Sequence, residues 1–206
     1  MAQPKKSGAR RRQPRQERAA VTVDALLQAT AELLVHDGYE RTTTNHIARR
    51  AGVSIGSLYH YFGSKDALVV GLIERHFAGV EAIITESLAD TGDESFRDQV
   101  SDLIRALVRA DRSAPALRYV IMSELPRVGS FAIIDTFSAR IETQVAAALE
   151  TYRSELRPSS PLLAAQIIVR ATSGLMQSTL RRDPALIDDP AFEAELLALI
   201  LRYLLH

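Results

Sequence analysis

Residues Thr43 to Leu68 read TTNHIARRAGVSIGSLYHYFGSKDAL, and this stretch decides the fold. Thr43 and Thr44 are helix-opening residues, because a hydroxyl can accept from the N–H groups that a first turn leaves unpaired. Ile47, Ala48 and Ala51 then share one face at helical spacing. Gly52-Val53-Ser54 breaks the pattern: glycine takes left-handed backbone that most residues avoid, and Ser54 can cap the next helix. Ile55 to Phe62 gives that second short helix, with Leu58 directed to a core and Gly56 and Ser57 leaving one face almost bare. Gly63-Ser64-Lys65 ends it and opens a third helix with Ser64 as N-cap. Two helices crossing at a tight glycine turn form a helix-turn-helix, whose second helix can enter a DNA major groove.

The bare face has a physical use. A recognition helix must bring its backbone close to bases and phosphates, which Gly56 and Ser57 permit. Tyr59, His60 and Tyr61 follow on the same helix and are long enough to reach phosphate oxygens. Lys65 adds a full charge to the partial positive charge of a helix N-terminus, and together they make a phosphate clamp. Asn45 can make a bidentate contact to adenine or can simply be solvated.

On these residues the chain resembles the DNA-binding domain of the TetR (TetR/AcrR) family of bacterial transcriptional regulators. The resemblance is carried by Thr43-Thr44 with Ile47-Ala48, Ala51-Gly52-Val53-Ser54, Gly56 to Phe62, and Lys65 with Ala67-Leu68. It extends back to Ala29, Leu33-Leu34 and an Asp37-Gly38-Tyr39 helix stop, covering roughly residues 21 to 70. It implies DNA contacts from Thr43, Thr44, Asn45, Ser54, Ile55, Gly56, Ser57, Tyr59, His60, Tyr61 and Lys65, with Tyr59 and Lys65 on phosphate. One position often basic in the family is Ile55 here, which leaves a thymine methyl contact or packing.

The chain has 206 residues, enough for a small domain and a medium one, and 47% of them are hydrophobic. There is no cysteine, which removes disulfides, thiol catalysis and Cys-based zinc sites and fits a cytoplasmic protein. No apolar run is expected to span a bilayer, and no apolar stretch of a signal peptide follows the basic N-terminus. The zero net charge hides an asymmetry. Residues 1–66 carry eleven basic and six acidic side chains, the remainder fourteen and nineteen. A basic end and an acidic end point to nucleic acid at the first.

The spacing predicts an all-α chain in three parts: a flexible basic arm over 1–20, a helix-turn-helix domain over 21–66, and an effector-binding and dimerisation domain over 67–206. The arm is either a minor-groove or backbone contact or a solvated tail. Helix 1 is expected from Val21 to His36. A long helix from Ser64 to Ala89 joins head to body, and Asp90 to Glu94 reads as a turn. Further helices are expected around Phe96 to Val108, from Pro115 to Leu125, from Phe131 to Leu156, from Leu162 to Arg181, and from Pro190 to Leu205.

The last two helices are the candidates for a dimer surface, or else a monomer core. Ile167, Ala171, Gly174, Leu175 and Ser178 lie on the first. Phe192, Leu196, Leu199, Ile200 and Tyr203 lie on the second, which is apolar nearly all round. The family resemblance implies a four-helix bundle made by these two helices from each subunit, and two heads then read two half-sites of a palindromic operator. The resemblance also implies a cavity between the middle helices. Residues suited to line it are His76, Phe77, Tyr119, Met122, Glu124, Phe131, Phe137, Arg140 and Met176, each of which could instead be ordinary core, and Arg140 and Glu124 could pair with each other.

Five scattered histidines show no metal-ligand spacing, and there is neither a phosphate-binding glycine loop nor a nucleophile elbow. No enzyme, cofactor or metal is expected. The expected function is a dimeric, sequence-specific repressor released from double-stranded DNA by a small-molecule effector. The alternative is a regulator with the same head, gated by a protein partner or constitutive.

Overall fold

The computed structural model describes residues 9–89, 95–113, 117, 123, 124 and 131–206. Its helices are α1 (Ala9–Arg41), α2 (Thr44–Arg50), α3 (Ile55–Tyr61), α4 (Lys65–Ala89), α5 (Phe96–Ser113), α6 (Phe131–Thr151), α7 (Pro161–Arg182) and α8 (Pro190–Leu204). Short 3-10 turns occupy Arg153–Glu155 and Pro184–Asp188. Among the described residues there is no strand, only an isolated antiparallel bridge between Leu156 and Leu205. The turn expected over Asp90 to Glu94 and most of the helix expected from Pro115 to Leu125 lie outside the described residues.

The chain divides into two compact units, Met1–Leu72 and Ile73–His206. The expected boundary between 66 and 67 therefore moves into α4, because Leu68, Val69 and Leu72 are buried. In the first unit, Leu26, Leu27, Ala29, Ala31 and Leu34 of α1 join Ile47, Ala48 and Leu58 in the core. The local sequence writes each boundary. Gly38 breaks α1 at φ 75° and ψ 170°, and Gly52 turns the chain at φ 69°, both positions that strain a residue with a Cβ. Thr42, fully buried, bonds its hydroxyl back to the Gly38 carbonyl at 2.8 Å.

Helix α1 begins at Ala9 and not near Val21, so half of the segment expected as a flexible arm is helical. Ala, Arg, Gln and Glu over residues 15–20 are good helix formers and extend a helix already nucleated at Val21, whereas Pro14 removes one backbone donor from the turn before them. Within it, Glu17–Arg41 is long and apolar enough to cross a bilayer by length and composition, contrary to the expectation that no segment would qualify. Its apolar stripe is buried in the head, with Asp24 and Gln28 exposed.

Glycine in the interior of α4 would ordinarily cost about 1 kcal/mol relative to alanine. At Gly71 a Cβ would lie 2.9 Å from Phe62 Cε1 and 3.3 Å from Leu27 Cδ2, closer than two carbons can pack. Gly71→Ala is therefore expected to lower the stability of the head by about 1–3 kcal/mol despite its better helix propensity. Thermal unfolding checks this, and an equal or higher melting temperature would show that the Phe62 ring moves aside freely.

In the second unit α6 packs most extensively on α7, and α5 packs on α8. Phe96, Ile104, Val108, Leu149, Met176, Leu180, Ile187 and Leu204 belong to one core. Ser160 and Asp189 cap α7 and α8 through Leu163 N (3.3 Å) and Ala191 N (2.8 Å), each followed by proline at the first helical position. Arg112 of α5 donates to the Ile187 carbonyl at 2.8 Å and pairs with Glu193, fixing the turn before α8. Helix α6 stops at Thr151, five residues short of the expected Leu156, because Tyr152 leaves helical backbone at φ −107° and ψ 20°.

Candidate nucleic-acid interface and ligand cavity

The head presents its short helices as the sequence dictates. Thr43 caps α2 by accepting from His46 N at 3.2 Å, and Ser54 caps α3 by accepting from Ser57 N at 3.0 Å. Leu58 is fully buried, while Ile55, Gly56, Tyr59 and His60 are exposed. A hydrogen bond of 3.1 Å between Thr44 Oγ1 and Tyr59 Oη ties the outer surfaces of α2 and α3 together. It holds the Tyr59 hydroxyl in place on that surface. Asn45 and Tyr61 also reach the surface of the head. A Cβ at Gly56 would meet only Ser54 Oγ, at 3.9 Å. Among the described residues no other neighbour comes within 4 Å of that position.

Lys65 sits differently from a free surface lysine. Its Nζ donates to the Tyr39 carbonyl at 2.8 Å and lies 3.7 Å from the centroid of the Tyr39 ring. Tyr39 Oη in turn donates to Asp66 Oδ1. The ammonium has three N–H donors, so two remain for a phosphate after the bond to Tyr39. Ser64 Oγ accepts from Ala67 N at 3.1 Å and caps α4. Tyr39, read from the sequence only as part of a helix stop, is the seat of the cation; no local pattern signals a pairing across 26 residues.

Two carboxyls elsewhere on the head are held below their ordinary values. Glu32 accepts from Gln28 at 3.1 Å and from Arg50 at 2.7 Å, in that order of effect. Asp37 accepts from His36 at 2.8 Å. A carboxyl lowered by folding contributes stability above its unfolded pKa, about 4.3 for Glu, and loses it as pH falls through the folded value. The gap in melting temperature between the natural chain and Glu32→Gln is thus expected to be widest near neutrality and to close below about pH 4.5. A gap independent of pH would show that the pair does not act through charge.

The second unit encloses a cavity of about 180 Å³ between α4, α5, α6, α7 and α8. Four of the expected lining residues are on its wall: His76, Phe77, Phe137 and Met176. Phe77 and Phe137 stack with centroids 4.6 Å apart. Arg140 is not on it. It points outward to a bidentate pair with Glu81, at 3.0 and 2.8 Å, and Glu124 is not among the lining residues either. Tyr119, Met122 and the side chain of Phe131 lie outside the described residues. The sequence reading missed Gln99, Tyr152, Thr172, Ser173 and Gln177, which supply most of the polar wall. Tyr152 Oη donates to Gln99 Oε1 at 3.0 Å. The available signal was the regular apolar face of α5, whose one polar interruption on that side is Gln99.

The proposed dimer residues separate into two groups. Ile167, Ala171, Gly174 and Leu175 on α7 and Leu199 on α8 reach the surface, as Ser178 does in part. Phe192, Leu196 and Ile200 are buried inside their own subunit, and Tyr203 packs against that core. Phe192, Leu196 and Ile200 therefore offer little surface to a partner, while Tyr203 stays partly exposed. On a helix apolar nearly all round, packing against α5 and α7 selects which side turns inward.

A capped helix-turn-helix with an exposed second helix, on an all-helical body with an enclosed cavity, defines a class: the helix-turn-helix transcriptional regulators. Residues 26–72 match the family model for bacterial regulatory proteins of the tetR family, and residues 95–204 match that for the tetracyclin repressor-like C-terminal domain. The chain belongs to the TetR family. It is 34% identical over 79 residues to the HTH-type transcriptional repressor NemR of Escherichia coli (strain K12), which is 38% of this chain and 39% of that one. The chain thus spans about two fifths of the length of this curated relative. A TetR-family regulator from Mesorhizobium loti shares the fold at TM-score 0.71 and 20% identity, covering 92% of this chain and 99% of that one. SmeT, the repressor of a multidrug efflux pump of Stenotrophomonas maltophilia, shares it in a triclosan complex at TM-score 0.69 and 21% identity, covering 90% and 92%.

Proposed function

We propose that the chain is one subunit of a dimeric operator-binding repressor that leaves DNA when a small molecule occupies the cavity of the Ile73–His206 unit. The observation that carries the effector is the cavity itself. The described residues leave a mostly apolar space of about 180 Å³ unfilled, where a well-packed core would have none larger than a water molecule. A chain that keeps such a space open gains from filling it with something else. The volume is below the several hundred Å³ common for ligand sites, so the effector is small or the wall adapts to it, as Met and Phe allow. SmeT with triclosan shows that this fold can hold a small molecule.

At the DNA, Tyr59 and Lys65 bind phosphate, Thr43, Thr44, Ser54 and Ser57 lie against backbone or bases, Asn45 and Ile55 meet base edges, and Gly56 lets the helix approach. Two heads bound to two half-sites need a dimer, for which the exposed stripe on α7 and Leu199 on α8 are the surface. Helix α4 carries Lys65 and Asp66 in its first turn and cavity residues from His76 to Leu88 further on. A ligand that prefers one position of α4 by a few kcal/mol then changes the population able to hold both half-sites. A regulator acting on chromosomal DNA works in the cytoplasm.

Footprinting of the purified protein on its own upstream DNA at several salt concentrations tests this reading. The expected result is a protected palindrome with steep salt dependence. Weak protection indifferent to sequence, from protein freed of any co-purified ligand, counts against it. The second reading, a regulator with no effector, is favoured by a cavity filled with side chains; the space left among the described residues supports the first.

A further inference from the structure

No Asp, Glu, Lys or Arg is among the described residues that line the cavity. Two ion pairs neighbour lining residues: Arg140 with Glu81 at 2.8 Å, and Arg170 with the buried Glu142 at 2.8 and 3.2 Å. In the second pair each oxygen of Glu142 accepts one guanidinium nitrogen, so the carboxylate beside the lining residue Ile141 is already satisfied.

The wall is also long. It runs from His76 to Leu88 along α4 and from Phe96 to Ala110 along α5, roughly 18–21 Å of helix. Its ends differ from its middle. At one end the Tyr152 ring lies 4.8 Å from Phe96 and bonds to Gln99; at the other, Phe137 stacks on Phe77 beside His76. Phe137 and Tyr152 are separated by roughly 22 Å of helix rise. Between them the wall includes Val80, Ile84, Leu103, Ile141 and Val145, with the hydroxyls of Thr172 and Ser173 on α7. A long wall that is mostly aliphatic and carries a few neutral hydrogen-bonding groups matches an extended molecule with an apolar body.

We infer that the effector is an uncharged, elongated, largely apolar molecule. This rests on the cavity being the effector site. An ion would have to leave its hydration shell for a wall whose described residues include no carboxylate, lysine or arginine and only one ionisable group, His76, and burial of an unpaired charge is far costlier than burial of a hydroxyl or a carbonyl.

The chain contains no tryptophan, so Phe137→Trp gives a single fluorescent reporter at the wall of the full-length protein. Three probes of one chain length separate the charge requirement: 1-decanol, decanoate and decyltrimethylammonium. Titration of the reporter is accompanied by melting of the natural chain with each probe, which needs no substitution, and by release of labelled operator DNA. Decanol is expected to bind at least ten-fold more tightly than either ion and to raise the melting temperature most. An ion that binds as tightly as decanol, or three probes that all fail to bind, overturns the inferred class. Preferential binding of decanol without loss of operator binding upholds the class and overturns the effector reading. Tighter binding of an ion that does release DNA does the reverse.

Discussion

Ile167→Glu is expected to split the dimer and to lower operator affinity about a hundred-fold or more, while the subunit stays folded. Ile167 is 44% exposed, so no subunit core is lost with it. With Leu163, Ala171, Gly174 and Leu175 it forms an apolar stripe at intervals of three and four along α7, and Leu199 of α8 is 59% exposed. Gly174 supplies a second argument. A Cβ there would meet nothing within 4 Å, so the subunit itself does not need glycine, although glycine inside a helix costs about 1 kcal/mol. Close approach by another helix is the physical use that remains. A carboxylate at position 167 would be buried without a partner in such an interface, whereas on the lone subunit it is solvated. Operator affinity falls with the dimer, because two linked heads gain roughly two to four orders of magnitude over one. Sedimentation and operator titration read the two effects separately. A variant that remains dimeric with unchanged affinity would move the interface elsewhere; Leu199→Glu serves as the second probe of the same surface.

The contrast with Leu196 and Ile200 shows where sequence pattern stops informing. All three α8 positions are large and apolar and lie within about one helical turn of each other. Leu196 and Ile200 are 4% and 5% exposed and Leu199 is 59%, a choice made by α5 and α7 that no periodicity within α8 encodes. What could be read correctly was local. Thr43, Ser54, Ser64 and Asp189 each cap the helix they precede, and Gly38 and Gly52 each take positive φ, because these roles are settled within four residues. What could not be read were pairings across the chain. Arg140 finds Glu81, Lys65 finds Tyr39, and Tyr152 finds Gln99, partners separated by 59, 26 and 53 residues. The cavity was in the same position. Its apolar wall and a filled core have the same sequence signature, and only the packing shows that space remains between Phe77, Ile104, Val145 and Met176.

Lys65→Ala is expected to weaken operator binding about ten- to a hundred-fold and to flatten its salt dependence. Each lysine that neutralises a phosphate contributes about 0.9 to the slope of log affinity against log salt, so a dimer that loses two such contacts should lose a slope of about 2. The structure gives the contact a preorganised form. The Tyr39 carbonyl and ring hold the ammonium, Asp66 holds the Tyr39 hydroxyl, and two N–H donors stay available. The same geometry creates a competing explanation, since the substitution also removes a bond between the turn after Gly38 and the start of α4. The two are distinguishable. Loss of the internal bond lowers the melting temperature and weakens binding equally at all salt concentrations, whereas loss of a phosphate contact changes the slope. Tyr39→Phe, which keeps the carbonyl and ring but drops the hydroxyl bond to Asp66, should leave the slope near its original value. An unchanged slope in Lys65→Ala, with affinity reduced only in proportion to stability, would make Lys65 a structural cation and pass the phosphate role to Tyr59, whose hydroxyl is already fixed by Thr44 on the exposed face of the head.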